Sequence, residues 1–315
     1  MRDAIAGAVT ELGVHSPAST VDRSVGEKTR VVVAGIYGPD HELFGAKAWV
    51  GPTGTEPGAP PRASGFIWET DTRLIHLAGV GDILVPELET GRSTITAPEF
   101  FRVFEPEDSL SLIRFLIGGI DADDGYHCVA RYLETEESVA AVHLVLSDKV
   151  GDLGRKGIAH DVAPPGGSWP TLESAALSAL PTLSPADTHI VLVDIAKVRL
   201  IRWLTDPIRE VQWKGMVDNR DTPHPADVER IFATVAPVLE GSIKRAEVNG
   251  VRLRRIGGGW TVVDADGVLV DDPALEGPKL GLIRFRVVGF SDEPDPVPAD
   301  DQGHPGLSED AAPSV

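Results

Sequence analysis

The longest apolar segment of the chain runs from Ala186 to Leu204, and its pattern changes midway. Ile190 to Ile195 is almost continuously apolar and β-branched, as expected of a strand covered on both faces. From Lys197 onward Lys197 and Arg199 alternate with Val198 and Leu200, so one face of that piece can reach water. The segment therefore predicts a central strand running into a more exposed one.

Shorter alternating runs predict further strands at Arg30–Ile36, Phe44–Val50, Ile208–Trp213, Val251–Ile256 and Leu282–Phe290. Two hairpins are indicated, Gly65–Glu69 with Arg73–Ala78, and Tyr126–Glu134 with Val139–Ser147. A third is expected where Trp260–Val263 and Val268–Val270 flank Asp264-Ala-Asp-Gly267, because Gly267 can take a positive φ in a tight turn. Helical spacing marks Asp3–Leu12, Pro98–Phe104, Glu107–Ile117 and Thr171–Leu180. The strongest helix is expected over Pro225–Glu247. There Val228, Ile231, Phe232, Val235, Leu239 and Ile243 share a face, Pro225 suits the first turn, and Asn249-Gly250 suits the end. Pro237 should kink it.

These elements predict an α+β fold of mostly antiparallel sheets with a few helices, including one long amphipathic helix packed on a C-terminal sheet. Residues 1–28 read as a helix and polar linker, 29–150 as a β-rich subdomain and 165–290 as an α+β subdomain. The Gly- and Pro-rich stretch ending at Pro170 marks the boundary, and 291–315 reads as an acidic disordered tail. No internal repeat of fixed period is visible.

Composition narrows the function classes. A formal net charge of -19 disfavours general affinity for nucleic acid or anionic lipid, favours solubility and fits basic or neutral partners. The single cysteine, Cys128, excludes an intrachain disulfide and a cysteine-based zinc site. With no secretory leader pattern and no apolar run near the ~20 residues that span a bilayer, a soluble, cytoplasmic protein is expected.

Candidate chemistry is sparse. Asp121, Asp123 and Asp124 offer hard oxygen ligands suited to Ca²⁺ or Mg²⁺, but their spacing fails the EF-hand pattern and suits an acidic turn. His127 and His143 would meet if they shared a sheet face. Closing the hairpin tightly pairs Glu134 with Ser138 or with Val139; the second register sends them to opposite faces, and a slip of one residue reverses that result. Cys128 beside His127 on a strand reads as a buried thiol rather than a nucleophile. Asp194 with Lys197, and Glu210 with Lys214, only loosely follow a nuclease spacing. No Gly-x-Ser-x-Gly elbow occurs.

The more distinctive feature is a charge layout. Lys197, Arg199, Arg252, Arg254, Arg284 and Arg286 all alternate with apolar residues, so one sheet could carry them in rows on the face away from helix 225–247. That face would bind an anion, an acidic partner, or the chain's own acidic tail at Asp292, Glu293, Asp295, Asp300 and Asp301. Two functions follow. The first is a non-enzymatic binding or assembly protein that works with a protein partner or by self-assembly and needs no cofactor. The second is a metal-dependent hydrolase using the Asp121/Asp123/Asp124 cluster, with His127 or His160-Asp161.

Overall fold

In the computed structural model the described residues are 1–13, 20–78, 83–84, 92–118, 125–133, 138–151, 154–164, 172–185, 187–195, 197–214, 216–218, 220–270 and 279–296. They form an α+β fold in which every paired strand is antiparallel.

Helix α1 (Arg2–Leu12) turns Ala8 and Leu12 onto a small sheet of β1 (Thr20–Val25), β2 (Thr29–Tyr37) and β3 (Leu43–Pro52). The stretch expected to be a polar linker therefore contains a strand. Val21 anchors it by joining Val31 and Val33 in the core beneath α1.

The second sheet has seven strands. Its first hairpin is β4 (Ala63–Trp68) and β5 (Leu74–Leu77), extended by the short β6 (Thr94–Thr96). Two helices follow, α2 (Ala97–Val103) and α3 (Ser109–Ile117). Helix α2 starts at a capping box, in which the Thr96 hydroxyl accepts from the Glu99 N–H while the Glu99 carboxylate accepts from the Thr96 N–H. The two-residue β7 (Glu105–Pro106) then borders a meander of β8 (Tyr126–Leu133), β9 (Val139–Val150) and β10 (Arg155–Val162), and β10 returns to pair with β4. One face of this sheet buries Phe66, Trp68, Ala130 and Leu144 against Phe100, Phe104 and Phe115 of the helical segment. The first sheet leans on the other face. There a side chain at Gly65 would strike the Tyr37 carbonyl at 2.5 Å, so only glycine permits that approach.

The third sheet repeats the plan. A hairpin, β11 (Thr188–Asp194) and β12 (Arg199–Trp203), is followed by helix α5 (Pro225–Leu239) and a meander of β13 (Ala246–Arg254), β14 (Trp260–Leu269) and β15 (Leu280–Ser291). Its strand order is β12-β11-β15-β14-β13, matching β5-β4-β10-β9-β8 in the second sheet. Helix α4 (Leu172–Leu183) lies between the two plans in sequence. Leu192, Ile201 and Leu280 of the third sheet belong to the same core as α2 and the second sheet, so one apolar interior crosses between them.

Three expectations change here. The strongest helix ends at Leu239, because Gly241 adopts φ 74 and closes it, and Ile243 lies outside at 45% exposure. Gly250 instead sits at a bulge in β13. The hairpin expected at Asp264–Gly267 is absent, since β14 runs straight through it with Asp264 opposite Arg286 and Asp266 opposite Arg284. Ile208–Trp213 is not a strand and contributes only a single bridge, Val211 to Arg255. Helix α5 lies against one edge of this sheet. It touches β13 and β14, and Ile231, Val235 and Leu239 are only half-buried beside the sheet core.

Candidate functional site

The two faces of the third sheet carry different chemistry. Toward α5 it presents Val193, Val251, Leu253, Val263 and Phe285. Between this face and the helix lies an apolar cavity of about 110 Å³. The opposite face is divided. Near Asp194 it is buried on α2. Near Arg284 and Arg286 it opens into a polar basin of about 360 Å³ that also takes in Asp187, Arg245, Glu247, Asp264 and Asp266.

The six cations expected to form a basic face fall into three settings. Arg284 and Arg286 stand in the basin with side chains 53% and 60% exposed, each on the carboxylate that faces it across the strands: Arg284 to Asp266 at 2.6 Å and Arg286 to Asp264 at 2.8 Å. Arg245 adds a second bond to Asp266 at 2.9 Å. Arg252 and Arg254 lie at the sheet edge under the segment that follows β15. Arg252 donates to Asp227 of α5 at 3.0 Å and to Glu293 at 2.5 Å. Arg254, only 7% exposed, donates to Asp295 at 2.5 Å and lies 4.9 Å over the Trp260 ring. Lys197 and Arg199 sit at the far end, on Asp71 at 2.7 Å and Asp221 at 3.0 Å. All six are thus ion-paired. Asp292, Glu293 and Asp295 supply partners to Arg255, Arg252 and Arg254, while Asp300 and Asp301 lie outside the described residues.

Burial raises the Asp227 carboxyl pKa. The bonds from Arg252, through side chain and backbone N–H, and from Arg230 outweigh it and hold the group at about 2. Asp227 therefore stays charged and ties the first turn of α5 to β13.

The second sheet holds a site that the sequence leaves undecided. The pairing is Leu133 with Val139 and Val129 with His143, which is the Glu134–Ser138 register and not the Glu134–Val139 one. His127 and His143 therefore share a face, and His160 of β10 stands directly opposite His143. The three imidazoles form a row. His143 Nδ1 lies 3.1 Å from His160 Nε2, and His143 Nε2 lies 3.4 Å from His127 Nδ1. The protons follow from one end. His160 Nδ1 faces the Asp161 carbonyl at 3.3 Å and must donate there, so its Nε2 accepts from His143 Nδ1–H. His143 Nε2 then accepts from His127 Nδ1–H. Burial first, and then the neighbouring His160 and His127, lower the His143 pKa, because a second proton would set two N–H groups against each other.

The row does not form a metal centre, since His143 meets its two neighbours with different nitrogens. Among the described residues no three His, Cys, Asp or Glu side chains could hold a metal ion. Asp121, Asp123 and Asp124 lie outside the described residues. Asp161 turns away from the row and accepts from Arg62 at 2.7 Å. Cys128 is buried, and burial, reinforced by Glu107 and Asp108, pushes its thiol up to about 12. Asp194 is sealed against Arg73, and Lys214 meets Asp221 at 3.1 Å, so neither nuclease-like pair converges.

Residues 174–275 match the family model described as Rv3651-like, C-terminal domain. The match begins inside α4 and ends just after β14, covering about a third of the chain and most of the third sheet. A crystal structure of an uncharacterized protein from Mycobacterium tuberculosis superposes with a TM-score of 0.71 at 16% identity, over 91% of this chain and 85% of that chain. This likeness shows a shared fold. An RNA-binding light-oxygen-voltage receptor shares 10% identity over 72% of this chain and 95% of its own, but its TM-score of 0.27 carries no argument. No curated protein matches the chain significantly. Among the described residues no helix is long and apolar enough to cross a membrane.

Proposed function

We propose that this chain is a non-enzymatic binding or assembly protein. Its recognition surface would be the open part of the polar face of the third sheet, meeting a protein partner or a second copy. The observation that carries this reading is the basin around Arg284 and Arg286. It is concave, and it keeps two guanidiniums more than half exposed although each already has a carboxylate. A partner with charges of both signs can exchange into such pairs without leaving a buried charge unmatched. In about 0.15 M salt the net charge is screened beyond about 8 Å, so these short-range pairs would decide association. Within this reading the second and third sheets are two subdomains, and the cytoplasm is the setting.

Light scattering on the purified chain tests the reading. The expected result is a species heavier than the 33.5 kDa monomer that dissociates at high salt and is lost in the double variant R284E/R286E. A strict monomer, whose cross-linking pattern in cell extract is unchanged by the same variant, overturns it.

A further inference from the structure

We infer that the cavity between α5 and the third sheet is a binding site for a small nonpolar group, the alkyl end of a short-chain compound. The inference is independent of the polar basin on the other face.

The walls are side chains such as Ile195, Leu200, Trp213, Val235, Val248 and Phe285. Of the polar residues at the lining, Thr222 is already engaged and Asp266 turns its carboxylate to the opposite face of the sheet. The Thr222 hydroxyl accepts from the Lys214 N–H at 3.1 Å, and Asp266 holds Arg284 and Arg245. The space therefore offers a polar ligand no committed partner. A water there would lack the two to four polar neighbours it needs.

Two further observations point the same way. Ile231 and Val235 of α5 line the space and are only half-buried, although both also touch the sheet core. Filling that space would complete their contacts without moving the helix. Val198, also at the lining, is a β-branched residue held at φ 49, a conformation such residues rarely adopt. Backbone strain of this kind gathers where a ligand is received.

Size limits the occupant. An engineered apolar cavity of about 150 Å³ holds benzene, so about 110 Å³ suits a short alkyl group and excludes a whole lipid tail.

The test uses the full chain, with 1-hexanol and hexanoate as probes. Trp213 lines the cavity, so its fluorescence should change saturably with hexanol, and the melting temperature should rise with the logarithm of probe concentration. V235F fills the space from the helix and A265L from the sheet. Each variant should weaken the hexanol response at least about tenfold, and the one that packs better should melt higher than the parent. Equal binding of hexanoate would assign the site to the end of an acyl chain, whereas binding of hexanol alone would assign it to a free neutral compound. The inference fails if neither probe gives a saturable response, or if both variants, folded by circular dichroism, respond as the parent does.

Discussion

At the residue scale, Arg73 and Asp194 form a buried ion pair between the two larger sheets. Arg73 lies next to β5 and Asp194 ends β11. Their side chains are 3% and 0% exposed, and the ion pair joins them across the shared interior. Losing one partner strands the other charge in an apolar setting. Asp194→Ala should therefore cost about 3–5 kcal/mol in urea unfolding, while replacing both by apolar residues of similar volume should cost much less. The histidine row gives a second residue-level expectation. Folding lowers the His143 pKa below the ordinary 6.5, so the unfolded chain takes up the proton first. That contribution is complete above pH 6.5 and is lost as pH falls through the lower folded value. His143→Gln should flatten the acid limb of a stability–pH curve, and NMR titration should show His143 protonating below the ordinary histidine range. Residue pattern alone left this row undecided. Whether His127 and His143 meet depends on a register set by the 134–138 connection, and one position separates the two answers.

At the element scale, strands with clear alternation were legible, and their ends were not. Arg30–Ile36, the 126–147 hairpin and the buried strand within 190–195 follow from side-chain periodicity, whereas the turn between β11 and β12 does not. Asp264-Ala-Asp-Gly267 reads locally as a turn. It stays extended because Arg284 and Arg286 face its two carboxylates, and because Gly267 lies against Ile283, where a Cβ would come within 3.1 Å. That information sits on another strand and cannot be read from the tetrapeptide. The end of α5 was misplaced for a local reason. The apolar spacing continues to Ile243, but Gly241 at φ 74 stops the helix first. Gly241→Ala should cost about 1–2 kcal/mol, measured by denaturant melting with an unchanged m-value. Asp227→Asn, which removes a charged acceptor for Arg252 and Arg230, should cost about 1.5–3 kcal/mol in the same assay.

At the scale of the whole molecule, a chain of net charge -19 uses part of its acidity internally. Glu293 and Asp295 close over Arg252 and Arg254, the Glu293 carbonyl accepts from Trp260 Nε1 at 2.9 Å, and Arg220 joins Asp295. Ending the chain at Ser291 should lower stability by about 2 kcal/mol, chiefly through the buried Arg254, and the deficit should shrink in high salt. A deficit that ignores salt would mean that packing, not charge, holds the segment down. The sequence showed no repeat because the two sheets share an order of strands rather than a spacing of residues. One carries two short helices and extra edge strands where the other carries a single longer helix.

That common order pairs the last strand of each plan with its first, β10 with β4 and β15 with β11. Entry and exit points thus adjoin at the middle of the sheet, and the polypeptide traces nearly a closed circuit. Such a circuit can be opened elsewhere. With the rest of the chain retained, a nick in the exposed Gly257–Gly258 turn should leave the same hydrogen-bonded ladder, its hydrogen-exchange protection unchanged away from the new ends.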